Sequence, residues 1–204
     1  MKSFHFSIRR RHLAVPALAM ASGLLASCTP EKPKFSSIDI TGAEYARDFS
    51  LKDHNGRLRS LKDFRGQIVA VFFGFTHCPE VCPTTMAEMA EIKKLLGPDG
   101  NKLQVILVTV DPQRDTPEIL KAYMGNFDPA FLAMSPSPQE LAAVAKEFKI
   151  YYKKVEGRTP TSYSMDHTAG TYIFDAQGRI RIYGRYGSGA PALAADIRLL
   201  LKEA

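Results

Sequence analysis

Residues 68–83 of the chain read IVAVFFGFTHCPEVCP, and this stretch decides the fold class. Its first part, Ile68 to Phe75, is a continuous apolar run of strand length, and Leu103 to Val110 is a second such run. Continuous apolar runs are typical of central strands that are covered on both faces of a sheet. Between the runs, apolar side chains at helical spacing predict a helix over Pro79 to Leu96. The stretch therefore predicts a strand–helix–strand unit of an α/β fold.

The elements predicted on either side of this unit extend it into a full domain. Residues 49–58 alternate between apolar and polar side chains around Asn55-Gly56, which indicates a β-hairpin. Downstream, the pattern predicts helices from Asp115 and Ser137, strands near 150–155, 170–174 and 179–183, and a final helix through Leu201. This order fits an α/β, thioredoxin-like fold with a central mixed sheet flanked by helices and an N-terminal β-hairpin extension.

The first 28 residues have the pattern of an export signal. Basic residues at positions 2 and 9–11 precede an apolar run from Leu13 to Ser27, which is too short to cross a hydrocarbon core of about 30 Å as a helix. The run ends in Leu25-Ala26-Ser27-Cys28, which is similar to a bacterial lipobox. We therefore predict that Cys28 is lipidated and becomes the first residue of the mature protein. A plain signal peptide is the alternative, and Arg9-Arg10-Arg11 partly resembles a twin-arginine signal.

This signal sets the predicted domain organisation and changes the interpretation of the charge. The chain divides into a lipoprotein-type signal peptide at 1–27, a tether at 28–47 and the thioredoxin-like domain at 48–204. The 204 residues hold 27 Lys and Arg against 21 Asp and Glu, a net charge of +6 that suggests nucleic acid as a partner. Without the signal the balance is 23 against 21, a net charge of +2, so we predict no nucleic-acid partner. The composition of 45% hydrophobic and 24% charged residues excludes a disordered chain.

Cys78 and Cys82 carry the clearest chemistry of the mature domain. They follow the most hydrophobic predicted strand, at the place where open α/β sheets put functional groups. Their i, i+4 spacing puts both side chains on one face of a helix, near an N-terminus that favours thiolates. Two thiolates in this place can form a disulfide or bind a soft metal ion. A purely structural disulfide is an alternative, although it would close a short loop and constrain the unfolded chain weakly.

Two of the three remaining histidines and one aspartate are further candidates. His167 precedes a predicted strand, in a loop that can lie beside the cysteines in a thioredoxin-like sheet. His77 adjoins Cys78 and is a candidate accessory ligand, whereas His54, in the hairpin turn, is expected to be solvated. Asp111 ends the second core strand, where it either faces the cysteine loop or bonds its own turn. Two thiolates and one imidazole suit three-coordinate Cu(I), and a zinc ion with an open position is the alternative.

Three segments in order resemble one known family. They are VFFGFTHCPEVCPTT at 71–85, VTVDPQRDTPEIL at 108–120 and MDHTAGTYIFD at 165–175, and they are similar to segments of the Sco family, also called SenC. The similarity runs from about Ile38 to the C-terminus. Members of this family are membrane-anchored copper proteins with a thioredoxin fold. The resemblance implies that the copper ligands are Cys78, Cys82 and His167, with Cu(I) as the expected state and Cu(II) as a second one.

The resemblance also implies a function and a set of partners. It implies a metallochaperone that helps to assemble the binuclear copper site of cytochrome c oxidase. The expected partners are the copper-site subunit of that oxidase, a copper donor chaperone, a thiol reductant and the membrane, through the lipid anchor at Cys28. The expected location is the outer face of the cytoplasmic membrane, facing the periplasm or the cell exterior. The chain departs from the family pattern at Met165, where an aliphatic residue is common, and we expect this side chain to serve packing.

Two enzymatic hypotheses compete with the chaperone. A thiol–disulfide oxidoreductase would use Cys78 and Cys82 to reduce the cysteines of the oxidase site or other exported thiols. The CxxxC spacing argues against this hypothesis, since dedicated redox catalysts use CxxC. The oxidoreductase hypothesis also gives His167 no required role. A cysteine peroxidase would need a peroxide pocket, which no residue pattern here specifies. Loss of His167 separates the chaperone from the oxidoreductase, because only the chaperone needs the imidazole.

Overall fold

The computed structural model describes residues 1–3, 5, 33–159 and 162–203. Contacts divide the chain into two units, Met1–Lys32 and Pro33–Ala204, and the elements of the fold belong to the second. Most of the predicted signal peptide, together with Cys28, lies outside the described residues. Within the described part of the chain, no helix combines the length and the apolar character needed to cross a membrane.

The second unit alternates strands and helices, and the predicted strand–helix–strand unit lies in its middle. Its described residues form the following strands and α-helices: β1 (Ile38–Asp39), β2 (Leu51–Lys52), β3 (Leu58–Arg59), β4 (Ile68–Gly74), α1 (Val81–Leu95), β5 (Leu103–Thr109), α2 (Pro117–Gly125), β6 (Leu132–Met134), α3 (Pro138–Glu147), β7 (Tyr152–Glu156), β8 (Tyr163–His167), β9 (Thr171–Phe174), β10 (Ile180–Gly184) and α4 (Ala190–Leu201). Short 3-10 helices lie at Leu61–Phe64 and Gly97–Lys102. Within this set, β1, β6 and β8 are strands that the sequence patterns did not predict.

Six of these strands form one mixed sheet in the order β1-β10-β9-β4-β5-β6. β4, β5 and β6 run parallel, whereas β9 is antiparallel to β4, β10 to β9, and β1 to β10. All seven residues of β4 are buried, because this strand lies inside the sheet and both of its faces are covered. This architecture confirms the predicted α/β, thioredoxin-like class with helices flanking a central mixed sheet.

The residue that follows α3 packs against the centre of the sheet. The ring of Phe148, which follows α3, packs against Phe73 with ring centroids 5.2 Å apart and against Tyr172 at 5.5 Å. The Tyr172 hydroxyl also donates a hydrogen bond of 2.7 Å to the carbonyl oxygen of Phe148. These contacts fix the point from which the chain leaves the core and enters β7.

The segment that carries His167 is a strand, so the prediction of a loop there was wrong. Residues 163–167 form β8, which pairs antiparallel with β7 in a separate two-stranded sheet, with Tyr152 opposite His167 and Glu156 opposite Tyr163. Half-buried and exposed side chains alternate along β8, as in a strand with one covered face. Ser164 and Asp166 occupy the exposed positions, and the alternation spans only five residues, which is too short to distinguish a strand from a loop in the sequence.

The folded unit begins before the predicted boundary at residue 48. β1 extends the six-stranded sheet by pairing with β10, and Ala46 is fully buried. Asp196 on α4 accepts hydrogen bonds from the backbone N–H groups of Ser36 at 2.8 Å and Ser37 at 2.9 Å. Residues 33–47 therefore belong to the domain and not to the tether. Their composition concealed this, because the contacts join backbone groups to a carboxylate about 160 residues further along the chain.

The N-terminal β-hairpin forms as predicted, but its histidine is buried and not solvated. β2 pairs antiparallel with β3, and Gly56 in the turn adopts the positive φ of +77° that favours glycine. His54 Nδ1 accepts a hydrogen bond of 3.1 Å from the N–H of Ala133 in β6. Burial lowers the pKa of His54, because the charged imidazolium loses solvation. The hairpin is thus packed onto the edge of the sheet.

Candidate metal centre

The two cysteines lie where the central strand β4 leads into α1. Cys78 lies in the connecting loop and Cys82 in the first turn of the helix. The backbone N–H of Cys82 donates to Cys78 Sγ over 3.4 Å, and both thiols are free. The unpaired N–H groups at a helix N-terminus stabilise negative charge beside them. The start of α1 is therefore a favourable position for a thiolate.

The two thiols differ in exposure. Cys82 is fully buried, whereas Cys78 is half-buried and can be approached from solvent. Burial raises the pKa of Cys82 well above the usual range of a thiol, because a thiolate is poorly solvated inside the protein. Cys82 therefore keeps its proton until a cation or a proton acceptor reaches it.

Gly74, the last residue of β4, makes room for the buried thiol. A Cβ atom on this residue would lie 2.9 Å from Cys82 Sγ and 2.6 Å from Phe72 Cε1, both closer than van der Waals contact. Sequence reasoning did not identify Gly74 as a site residue. The available signal was a glycine at the end of an otherwise apolar strand, which often marks a close approach to the backbone.

His167, the last residue of β8, reaches the cysteines from the hairpin. Its Nε2 lies 3.7 Å from Cys82 Sγ, and the ligand atoms of Cys78, Cys82 and His167 all lie within 4.8 Å of one another. Nδ1 lies 2.9 Å from the carbonyl oxygen of Thr168. Since a carbonyl oxygen only accepts, Nδ1 carries the proton and Nε2 directs its lone pair toward the thiols.

The imidazole lies in an apolar environment that keeps it neutral. The rings of Phe72 and Phe75 meet it edge to face, with centroid distances of 6.0 and 5.8 Å. Burial lowers the pKa of His167, so the lone pair of Nε2 stays available near neutral pH. A neutral imidazole with its Nε2 facing two sulfur atoms can bind a metal ion or accept a proton.

His77 lies outside this group of three. Its side chain is 53% exposed, and Nδ1 lies 3.1 Å from Thr76 Oγ1 and 3.9 Å from an Asp115 carboxylate oxygen. Asp115 is fully buried and accepts hydrogen bonds from the hydroxyl groups of Thr76 at 2.6 Å and Thr109 at 2.5 Å. It therefore ties the cysteine loop to the end of β5. The helix predicted from Asp115 begins at Pro117, and its cap is Thr116, whose side chain accepts the backbone N–H of Ile119.

Asp111 also lies outside the group of three. It is buried, and its carboxylate binds the Arg114 guanidinium on one oxygen and the Tyr163 hydroxyl, at 2.9 Å, on the other. Of the two predicted possibilities, the bond to its own turn is correct. The bond to Tyr163 was not predicted, because it joins residues 52 positions apart.

One further polar group near the cysteines was missed by sequence reasoning. The hydroxyl of Tyr123 on α2 is buried and has no hydrogen-bond partner among the described residues. Burial raises the pKa of the Tyr123 hydroxyl, because the charged phenolate loses solvation. The ring of Tyr123 packs against Phe127, with 5.2 Å between the centroids.

The donor set of the three grouped residues suits a soft metal ion. Two sulfur atoms and one imidazole nitrogen are ligands that Cu(I) favours, and zinc accepts the same atoms. Separations within 4.8 Å allow all three atoms to reach one ion through small side-chain rotations, since metal–sulfur and metal–nitrogen bonds are about 2.0–2.3 Å long. The candidate ligands predicted from the sequence are thus the ones that the fold brings together.

Comparison with known proteins identifies relatives over nearly the whole folded unit. Residues 39–202 match the family model described as SCO1/SenC. A SCO2-like protein of Rickettsia felis is 35% identical over 159 residues, covering 76% of this chain and 78% of that protein. The structure of Bradyrhizobium japonicum ScoI with copper bound matches with a TM-score of 0.69 and 38% identity, covering 76% of this chain and 98% of that one. Apo Sco1 from Thermus thermophilus matches with a TM-score of 0.68 and 34% identity, covering 83% and 95%.

Proposed function

Because this chain belongs to the SCO1/SenC family of copper-binding cytochrome c oxidase assembly proteins, we propose that it is a copper metallochaperone for the binuclear copper site of that oxidase. The observation that carries the proposal is the convergence of the Cys78, Cys82 and His167 ligand atoms within 4.8 Å. Under this proposal the three residues hold Cu(I) with two thiolates and one imidazole.

The geometry suggests how these residues handle their cargo. Cu(I) binding displaces the proton of the buried Cys82, and the charge of the ion then compensates the buried thiolate. His167 needs no deprotonation, because its Nε2 already carries the free lone pair. Cys78 is the half-buried ligand, so the incoming ligands of a partner approach from its side. A three-coordinate ion leaves space for such a ligand during transfer.

Replacement of His167 by alanine tests the ligand assignment. Loss of a direct ligand should weaken Cu(I) binding by more than about 100-fold, the upper range for loss of an outer-shell partner. Competition against a colorimetric Cu(I) chelator under reducing conditions measures the affinity. His77→Ala is the matched control, because His77 adjoins the same loop outside the group of three. Unchanged affinity in His167→Ala, or an equal loss in His77→Ala, would show that the assignment is wrong.

A thiol–disulfide reductase is the second candidate, favoured by the two free thiols beside a helix N-terminus. In that reaction Cys78 attacks a substrate disulfide and releases one substrate thiol. Cys82 then attacks the mixed disulfide, which releases the second thiol and leaves a Cys78–Cys82 disulfide. A thiol reductant must restore the pair. In a disulfide reduction assay, His167→Ala should keep this activity and Cys78→Ala should lose it, whereas a chaperone loses copper binding in both variants.

We further propose that residues 1–27 are a lipoprotein signal and that lipidated Cys28 anchors the domain to the outer face of the cytoplasmic membrane. The support is the lipobox-like Leu25-Ala26-Ser27-Cys28. An exported compartment is oxidising, so a thiol reductant is needed before copper loading by a donor chaperone and transfer to the oxidase subunit. Labelled palmitate should enter the wild-type chain in cells and not the Cys28→Ser variant. Equal labelling of both would exclude this anchor.

A further inference from the structure

The β7–β8 hairpin carries His167 at one end of a single covered face. Because side chains alternate between the two faces of a strand, Tyr163, Met165 and His167 share one face of β8, and all three are half-buried. Tyr163 and His167 are the first and last residues of the strand, about 13 Å apart at a rise of about 3.3 Å per residue. One strand, paired along its length with β7, therefore carries both side chains.

Tyr163 is held by two residues of the loop between β5 and α2. Its hydroxyl donates to Asp111 over 2.9 Å, and its carbonyl oxygen accepts from Arg114 Nη1 at 2.9 Å. The Arg114 guanidinium lies 3.6 Å from the centroid of the Tyr163 ring, a stacking distance, and its Nε donates to Asp111. The side chain and the backbone of Tyr163 are thus both attached to a pair of oppositely charged residues that also bind each other.

This cluster supplies two of the three hydrogen bonds that join the hairpin to the rest of the domain among the described residues, while Tyr152 and Met165 pack against the core. β7 and β8 pair only with each other among the described strands. In the described ranges, the hydrogen bonds from residues 151–168 to other parts of the domain are the two of Tyr163 and the contact of His167 with Cys82. A cleft of about 170 Å³ lies between the hairpin, the β5–α2 loop and α3, and it is lined in part by Tyr152, Lys154 and Met165.

We propose that Asp111, Arg114 and Tyr163 form a latch that holds the β7–β8 hairpin closed and so positions His167 against the two cysteines. The inference rests on the proposed function, because it assigns to the hairpin the control of copper release. None of the three residues offers an atom to the group of candidate ligands, so they act as positioning residues. When the latch opens, His167 leaves and the ion keeps only the two sulfur ligands.

Transfer of Cu(I) from the full chain to an excess of a colorimetric chelator tests the latch. If hairpin opening is fast, the transfer rate follows the open population. Tyr163→Ala and Arg114→Gln should therefore release copper about tenfold faster than the wild type, a change equivalent to about 1.4 kcal/mol. Tyr163→Phe keeps the ring and the carbonyl bond, so its transfer rate should lie between those of the wild type and Tyr163→Ala. Tyr186→Ala is the matched control, because this tyrosine is 42% exposed and lies in the β10–α4 connection.

A second measurement needs no copper. Amide hydrogen exchange of residues 163–168 in the reduced apo protein should be faster in Tyr163→Ala and Arg114→Gln, while β4 stays as protected as in the wild type. A general loss of structure would instead raise exchange in β4 as well. In that case the comparison is made with Tyr163→Phe, which keeps the ring and the carbonyl bond and is expected to stay folded. Unchanged transfer and exchange in the folded latch variants, or equal acceleration in Tyr186→Ala, would overturn the proposal. A wild-type chain that binds no Cu(I) would refute the proposed function, and apo exchange would still decide on the latch.

Discussion

The replacement of Gly74 by alanine adds one methyl group at the most crowded point of the candidate metal centre. The new Cβ would lie 2.6 Å from Phe72 Cε1, 2.9 Å from Cys82 Sγ and 3.1 Å from Leu107 Cδ1. Carbon atoms in contact lie about 3.5–4.0 Å apart, so the Phe72 ring must move by about 1 Å. The same ring packs edge to face on His167, and the displacement therefore reaches both the thiol and the imidazole.

Overpacking of this kind costs about 1–3 kcal/mol. For a protein of this size, each kcal/mol lowers Tm by about 2–4 °C, so we expect a fall of about 2–12 °C. Thermal and urea unfolding of the reduced apo protein measure this loss. We also expect weaker Cu(I) binding in chelator competition, because the ligand atoms of Cys82 and His167 are displaced from each other.

Gly125→Ala is the matched control for this prediction. Gly125 ends α2 and has no positive φ, and a Cβ added to it would meet no atom within 4 Å. The same chemical change should therefore stabilise the protein by about 0.4–1 kcal/mol, because alanine reduces the entropy of the unfolded chain. A Gly74→Ala protein that is as stable as the wild type and binds copper equally well would refute the packing argument.

Three further predictions concern buried polar groups outside the candidate ligands. The pKa of His54 is lowered from 6.5 by burial, so the unfolded chain binds more protons and stability falls as the pH drops below about 6.5. His54→Asn keeps an acceptor for the Ala133 N–H without titrating, so its free energy of unfolding should fall less between pH 7 and 5 than that of the wild type. An equal fall in the variant and the wild type would contradict this. Asp115→Ala leaves buried hydroxyl groups unpaired and should cost about 3 kcal/mol or more in urea unfolding, and a cost below about 1 kcal/mol would contradict it. Asp196→Ala should lower the free energy of unfolding by about 1–3 kcal/mol and speed amide exchange at Ser36, because the N–H groups of Ser36 and Ser37 lose their acceptor. Unchanged exchange at Ser36 would contradict the docking of this segment on α4.

Local patterns predicted the parts of the fold whose signal lies within a few residues. β4 and β5 are buried on both faces, so their apolar runs are continuous, and α1 shows its covered face at helical spacing. The Asn55-Gly56 turn likewise follows from local chemistry, because its conformation needs a glycine at positive φ. Strands β1, β6 and β8 were missed because each is only two to five residues long, too short for a clear pattern, and because each forms only by pairing with a partner strand.

For the candidate site, the donors could be identified from the amino-acid sequence: two cysteines at a strand end before a helix, and a histidine within a family-like segment. The pattern of an export signal could be identified in the same way. The folded arrangement was needed to show that His167 Nε2 faces Cys82 across 85 residues, while His77, which adjoins Cys78, faces Asp115 instead. It was also needed to show that Gly74 must lack a side chain and that Asp111 binds Tyr163. The physical reason is that these contacts are made across the sheet between distant segments, where packing and burial, and not local spacing, select the partner of each group.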